Sequence, residues 1–539
     1  MSLRSELRDR AFRWIADDPG QATRTELQQV VARAMGGDQA AVDELADRMD
    51  GTLAFGTAGL RGPVRAGSNG MNTAVVLRAT AGVAAWLTHK GHGGGTVIVG
   101  RDARHGSAEF AEATAGVLVA AGFVVRTMPG PLPTPMTAFQ VRALGAVAGI
   151  QVTASHNPPA DNGYKVYTDD GAQIVPPDDS LIETGIREAP PAVSVPTAPG
   201  ATPVADVSGY VARIATLPRG TARDLRVVLT PMHGVGGDTA LEALRAAGFT
   251  DVRLVEAQAA PDPDFPTVTF PNPEEPGAAD LLLAQASEVD ADLAIALDPD
   301  ADRCALGIRD GGTWRMLRGD ETGVLLGSHV LSTVDKPDPL VATTIVSSSM
   351  LSHIAAAHGA RHAETLTGFK WLMRAGEGLV FAYEEALGLS VDPDFVRDKD
   401  GISAAVVACD MVATLKAAGR TLLDVLDDLS TEHGVHLTDQ ISLRFADVTE
   451  MPRLVAALRA TPPAQLCDVE VTQDSPADDV LRLRGGGVRV IVRPSGTEPK
   501  VKAYLEVVTP VTGSLADART DAKARLATLR TEVTALLKG

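Results

Sequence analysis

The sequence predicts an α/β protein of four domains, three of them related mixed-sheet units and the last a smaller α+β fold. Three observations carry that expectation. A strand, polar loop, helix, strand pattern occurs three times; Pro-rich stretches separate its copies; and the last hundred or so residues alternate strands and helices in another order. Size permits it, since 539 residues with 45% hydrophobic and 22% charged side chains can build several cores.

Taken in order, the chain opens with a helical lead-in. Leu3, Leu7 and Ile15, then Leu27, Val30 and Val31, then Val42, Leu45 and Met49 recur at helical spacing. Helices are expected over Thr25 to Met35 and Asp38 to Met49, with Thr23 and Asp38 as caps. From Thr96, TVIVGRDARHGSAEFAEATAGVLVAAGFVVRTM reads as a βαβ unit, and Ala146 to Val152 as a further strand. Arg187 to Val204 is Pro-rich without periodicity and is expected to loop out before a helix, Val207 to Leu217, closes the first domain. The pattern returns at Leu225 (LRVVLTPMHGVGGDTALEALRAAGFTDVRLV) and at Pro339 (PLVATTIVSSSMLSHIAAAHGARHAET). The last domain begins with HLTDQISLRF, continues through a helix over Met451 to Ala460, and ends in strands and a closing helix. The expected domains are 1–220, 221–335, 336–435 and 436–539.

A net charge of −19 argues against a nucleic-acid partner, because phosphate backbones reward basic surfaces. Cys304, Cys409 and Cys467 have no paired spacing, so neither a disulfide framework nor a zinc site is expected, and a reducing compartment is the simpler inference. The first twenty residues lack a signal-peptide core, and no apolar stretch approaches the roughly 20 residues that span a bilayer. The expectation is a cytoplasmic protein with no membrane partner.

Four motifs carry chemistry. TASHNPPADNGYKVY (Thr153 to Tyr167) delivers Ser155 and His156 from a strand into an Asn-Pro-Pro turn, where a hydroxyl can project as a nucleophile or merely bond its own turn. ALDPDADRCAL (Ala296 to Leu306) presents Asp298, Asp300 and Asp302 where a strand gives out. A calcium EF-hand is excluded, because the glycine and glutamate its loop requires are replaced by Arg303 and Arg309; oxygen donors with room for a phosphate suit Mg²⁺. VRPSGTEPK (Val492 to Lys500) offers Arg493, Ser495, Gly496 and Thr497 as an anion nest. AFGTAGLRG (Ala54 to Gly62) adds Thr57 and Arg61 in a second glycine-rich turn. Lys165, ten residues past the serine, is the best local general acid/base, with a surface lysine as the alternative. No GxSxG elbow occurs, and adjacent residues such as Ser155 and His156 are not expected to present nucleophile and base to each other; His156 is expected to shape the turn.

Together these motifs, in this order over nearly the whole chain, resemble the α-D-phosphohexomutase superfamily of phosphoglucomutases and phosphomannomutases. The resemblance implies four domains around a central cleft and an isomerase of the EC 5.4.2 class. Ser155, as phosphoserine, would join Asp298, Asp300 and Asp302 in holding one Mg²⁺. Ser155, Lys165, Arg61 and His156 would form the catalytic group. Thr57, Arg303, Gly368, Lys370, Glu384, Glu385, Lys399, Arg493, Ser495, Gly496 and Thr497 would bind substrate, the Arg493 loop taking the phosphate that is not reacting. The substrate would be a hexose 1- or 6-phosphate, with a sugar 1,6-bisphosphate as intermediate and activator, and the enzyme a monomer or homodimer. EEALG with DKDG, GTAGLRG and the lead-in looks most like the phosphoglucomutase-2 branch, some of whose members prefer pentose phosphates. Ala386 stands where many members carry serine, and Phe369 where bacterial members often carry histidine. A phosphopentomutase and a metal-dependent phosphatase are the alternatives.

Overall fold

Thr96–Arg101 and Ala148–Val152 are apolar along most of their length, as strands covered on both faces must be, and they pair in parallel. They form the middle of a six-stranded sheet in the order Leu60–Pro63, Asp161–Thr168, Ala148–Val152, Thr96–Arg101, Val124–Pro131, Thr202–Pro203. The first two joins are antiparallel and the other three parallel, so the sheet is mixed as expected. Helices Thr73–His89 and Ser107–Ala120 supply Trp86 and Phe110 to a core shared with Ile150, Tyr164 and Val166. The Pro-rich stretch is more ordered than its composition suggests. Buried Ala192 and Val195 anchor a three-residue 3-10 turn, Ala192–Ser194, and Thr202–Pro203 pairs at the sheet edge. The helix after it is Ser208–Ile214, shorter than expected.

The computed structural model describes residues 4–55, 59–445, 450–494 and 500–538, and they fall into two units. The first comprises the chain to Pro218 with Leu225–Gly307 and Asp394–Val406. Besides the first sheet it holds a second, in which Arg226–Thr230 lies parallel to Asp251–Leu254 and to the wholly buried Leu293–Leu297, while Cys304–Asp310 returns antiparallel. The lead-in folds as helices Ser5–Asp17, Gln21–Met35 and Gln39–Arg48 around Leu7, Ile15, Leu27, Val30 and Leu45. Asp38 caps as expected, accepting from Ala41 N at 3.3 Å. Thr23 does not cap: buried Asp18 takes its hydroxyl and the Gly20 N–H, so the chain is already helical at Gln21.

The second unit comprises Arg219–Asp224, Ile308–Pro393 and the chain from Val407. One sheet runs Arg361–Thr365, Leu340–Thr344, Leu379–Glu384, Gly388–Ser390. A second is antiparallel throughout, in the order Val435–Arg444, Lys500–Thr509, Val488–Pro494, Leu481–Gly485, Thr472–Asp474, with helices Glu450–Ala460 and Leu515–Lys538 contributing Val455, Leu529 and Val533 to its core, and Gln465–Leu466 pairs separately with Val469–Glu470. This is the α+β element the sequence predicts. No single helix among the described residues is long and apolar enough to cross a membrane.

Candidate active site

The site in the first unit is built where two buried strands give out. Ala148–Val152 leads into Ser155, 1% exposed, whose φ of 53° is left-handed. A non-glycine residue held there costs about 1–3 kcal/mol and persists only when its surroundings impose it. Leu293–Leu297 leads into Asp298, Asp300 and Asp302, all 0% exposed, with a second left-handed residue, Ala301 at φ 55°, between them. Ser155 Oγ donates to Asp298 Oδ2 at 2.8 Å. The left-handed turn also swings the neighbouring side chain round, so His156 Nδ1 lies 3.2 Å from the same hydroxyl. This corrects the expectation that the two adjacent residues would not face each other. Burial, then the charges of Arg303 and Arg61, hold the imidazole far below its ordinary pKa, so it is neutral.

The three aspartates offer one oxygen each within 4.8 Å of one another. Asp300 Oδ1 and Asp302 Oδ1 are buried and accept no hydrogen bond, which fits a hard cation that takes carboxylate oxygens. Their other oxygens are occupied: Lys165 Nζ lies 2.7 Å from Asp300 Oδ2 and 2.6 Å from Asp302 Oδ2, and Thr134 also donates to Asp300. Burial alone would lower the Lys165 pKa, but Asp300 and Asp302 reverse that and hold it above the ordinary value. Burial and its two like-charged neighbours push Asp298 well up; Asp302 is driven down, since Lys165, Lys399 and Arg303 outweigh its burial. Arg61 reaches the serine loop through Asn157 Oδ1 at 3.0 Å.

Lys399, expected to place substrate, is 5% exposed and sits 3.4 Å from Asp302 Oδ2. Its loop is pressed against the aspartate loop: a Cβ at Gly401 would meet the Arg303 carbonyl oxygen at 2.3 Å, and Gly401 N–H donates to Ala301 O. Asp398 accepts from Tyr167 and Gln173, both at 2.8 Å, which ties that loop to the strand bearing Lys165. Arg303 stands beside the triad, 4.0 Å from Asp298 and 3.9 Å from Asp302.

The second unit gathers a separate set. Glu384, Glu385 and Arg493 act on Tyr504, whose hydroxyl is raised by burial and then by Glu385, with Arg493 hydrogen-bonded to it. Glu385 Oε2 accepts from Thr344 and Ser347, each at 3.3 Å. Gly319, which opens helix Gly319–Thr333, lies so close to the Glu385 carbonyl that a Cβ there would be 1.7 Å from the oxygen. Gly368 is left-handed in φ (111°) and precedes the short helix Phe369–Leu372, where Lys370 is 9% exposed with Nζ 5.9 Å from the Trp371 ring. Thr57, Ser495, Gly496 and Thr497 lie outside the described residues. Sequence reasoning missed Thr134, Tyr504 and the pair Asp102 and Arg104; the only signal for that pair was a polar Asp-Ala-Arg directly after a buried strand.

The chain matches four family models in order: Phosphoglucomutase/phosphomannomutase, alpha/beta/alpha domain I over residues 52–192, domain II over 208–311, domain III over 318–433, and the C-terminal domain over 442–518. It is 42% identical over 454 residues to a "Probable phosphomannomutase" of Haemophilus influenzae, covering 81% of this chain and 93% of that one. A "Probable phosphoribomutase" of Schizosaccharomyces pombe is 34% identical, covering 91% and 92%, and a phosphopentomutase of Mus musculus 32%, covering 95% and 92%. The fold is similar to that of a solved phosphoglucomutase/phosphomannomutase family protein from Burkholderia thailandensis, with a TM-score of 0.68 at 24% identity over 89% of this chain and 97% of that one. Full-length relatives and four consecutive domain models converge on one placement: the chain belongs to the phosphoglucomutase/phosphomannomutase enzymes, isomerases of the α-D-phosphohexomutase superfamily.

Proposed function

We propose that this enzyme is a Mg²⁺-dependent phosphosugar mutase that interconverts hexose 1-phosphate and hexose 6-phosphate through phosphorylated Ser155. The supporting observation is the serine hydroxyl 2.8 Å from a buried triad that keeps two carboxylate oxygens free of hydrogen bonds. In the first half-reaction the P–O bond to Ser155 Oγ breaks, a P–O bond to the free sugar hydroxyl forms, and the proton of that hydroxyl ends on the freed Ser155 Oγ, which becomes a hydroxyl again. The resulting 1,6-bisphosphate turns round and its other phosphoryl group passes to Ser155 Oγ; the serine proton, for which Asp298 and His156 are acceptors in reach, ends on the sugar oxygen whose P–O bond has broken. Ser155, Asp298, Asp300 and Asp302 would hold Mg²⁺, which offsets charge on the phosphoryl oxygens.

Lys165 and Arg61 complete the catalytic group, and Lys165, kept as an ammonium by Asp300 and Asp302, serves on its acid side. Arg303 and Lys399 add positive charge beside it. In the second unit Glu384 and Glu385 take sugar hydroxyls, Gly368 and Lys370 bind substrate and Arg493 takes the distal phosphate; Ser495, Gly496, Thr497 and Thr57 are assigned to substrate from sequence alone. The test is a rate panel on glucose 1-phosphate, mannose 1-phosphate and ribose 1-phosphate with catalytic sugar bisphosphate. Fastest turnover on either hexose, without inorganic phosphate release, supports the proposal. Ala386 supplies no hydroxyl beside Glu385, and relatives named for pentose or ribose phosphates match over more than nine tenths of the chain, so a pentose preference is the second reading. Stoichiometric phosphate release would instead mark a phosphatase.

A further inference from the structure

Two strands end side by side at the serine loop. Asp102 follows Thr96–Arg101, and its N–H donates to the Val152 carbonyl at 3.0 Å, so Asp102 and Arg104 arrive next to the segment Thr153–Asp161. Arg104 is 4% exposed and spends its guanidinium on backbone carbonyls of that segment. Nη2 donates to Ser155 O at 2.7 Å and Asn157 O at 2.6 Å; Nη1 donates to Pro158 O at 2.8 Å and Asp161 O at 3.1 Å. Its Cζ lies over the Phe265 ring, 5.0 Å from the centroid. Asp102, 1% exposed, lies 3.5 Å from Arg104 Nε and accepts from Ser107 Oγ and from Thr153 Oγ1 at 2.6 Å. Thr153 Oγ1 in turn accepts the Ser155 N–H at 2.9 Å.

Both backbone groups of the serine are therefore tied to one buried pair, the carbonyl directly to Arg104 and the N–H through Thr153 to Asp102. The pair touches neither Ser155 Oγ nor the aspartate triad in any of these bonds. We infer that Arg104, oriented by Asp102, is a positioning residue that imposes the left-handed conformation of Ser155 and thereby aims its hydroxyl at Asp298. Only a planar fork can serve four carbonyls at once; an ammonium has three donors and no fixed plane. Arg61 depends on the same clamp, because its partner Asn157 has its carbonyl held by Arg104.

The inference rests on Ser155 being the phosphoryl acceptor, so the test has one arm that depends on that reading and one that does not. Arg104→Lys and the near-isosteric Thr153→Val are compared with wild type. In the first arm, hexose 1-phosphate turnover and the phosphate carried on the 153–163 peptide are measured after exposure to glucose 1,6-bisphosphate. A misplacement of about 1 Å costs on the order of 100-fold, so kcat is expected to fall by about that factor in Arg104→Lys with KM changed less than about threefold, and serine phosphorylation to slow in parallel. In the second arm, amide hydrogen exchange over residues 153–161 is expected to quicken at least about tenfold in both variants, the rest of the chain being unchanged. A wild type that neither isomerises hexose phosphates nor becomes phosphorylated at Ser155 sinks the functional reading, and the exchange arm still decides the clamp. Unchanged exchange at 153–161 in Arg104→Lys overturns the inference. So does a kcat within about threefold of an active wild type.

Discussion

Lys165→Met removes the ammonium that two buried aspartates share. All three groups are 0% exposed, and Nζ lies 2.7 and 2.6 Å from its partners, so water does not replace the lost charge. The cations left beside Asp302 are Lys399 at 3.4 Å and Arg303 at 3.9 Å; among the ion pairs of the described residues, Asp300 has none other than Lys165. Breaking a buried pair by deleting one partner costs about 3–5 kcal/mol. At roughly 2 °C per kcal/mol for a unit of this size, melting in EDTA falls by about 6–10 °C. Differential scanning fluorimetry in EDTA and in excess MgCl₂ measures this without any assay of activity. Magnesium should recover more melting temperature in the variant than in wild type, because a divalent ion supplies the charge the ammonium supplied. The double variant Lys165→Met/Asp300→Asn should melt above the single one, one orphaned charge having gone. A single variant that melts within about 1 °C of wild type in EDTA would refute the electrostatic account of the triad.

Ser155→Ala should lose mutase activity by about 1,000-fold or more while keeping its circular dichroism spectrum and melting temperature, and the phosphorylated 153–163 peptide should vanish from mass spectra. Chelation should abolish turnover and Mg²⁺ restore it, with Asp302→Asn needing far more metal for half-maximal rate; metal titration of the rate checks this. Glu506, 2% exposed, is held down at about 2 because Arg489 and His436 outweigh its burial. A carboxyl depressed on folding stabilises above its unfolded pKa and loses that contribution as pH falls through the folded one. Glu506→Gln should therefore be less stable than wild type by about 3 kcal/mol near pH 7, the gap closing between pH 4.5 and pH 2 in chemical unfolding.

The parallel strands were legible because a strand buried on both faces must read as one apolar run, as in Leu293–Leu297 and Ala148–Val152. The aspartate triad was legible because its ligands lie within five residues of one another. What failed to show was long-range. Lys399 meets Asp302 across nearly a hundred residues, and no periodicity marks a lysine that will be buried. Arg104 acts entirely on backbone carbonyls, which every sequence possesses and none advertises. Facing side chains at Ser155 and His156 required a left-handed φ at a serine, a conformation that residue type does not signal. Thr23 was the better cap by composition, but Asp18, five residues earlier, had already claimed its hydroxyl.

Gly319 restricts how the turn at Glu384–Leu387 can be changed. The carbonyl of Glu385 fills the volume that any larger residue at 319 would need, so the Glu384–Leu387 turn is wedged against a helix end. If that turn reads the sugar as proposed, redesign of sugar choice would have to exchange side chains such as Ala386 on a fixed backbone, because lengthening or loosening the turn would first have to dislodge the helix behind it.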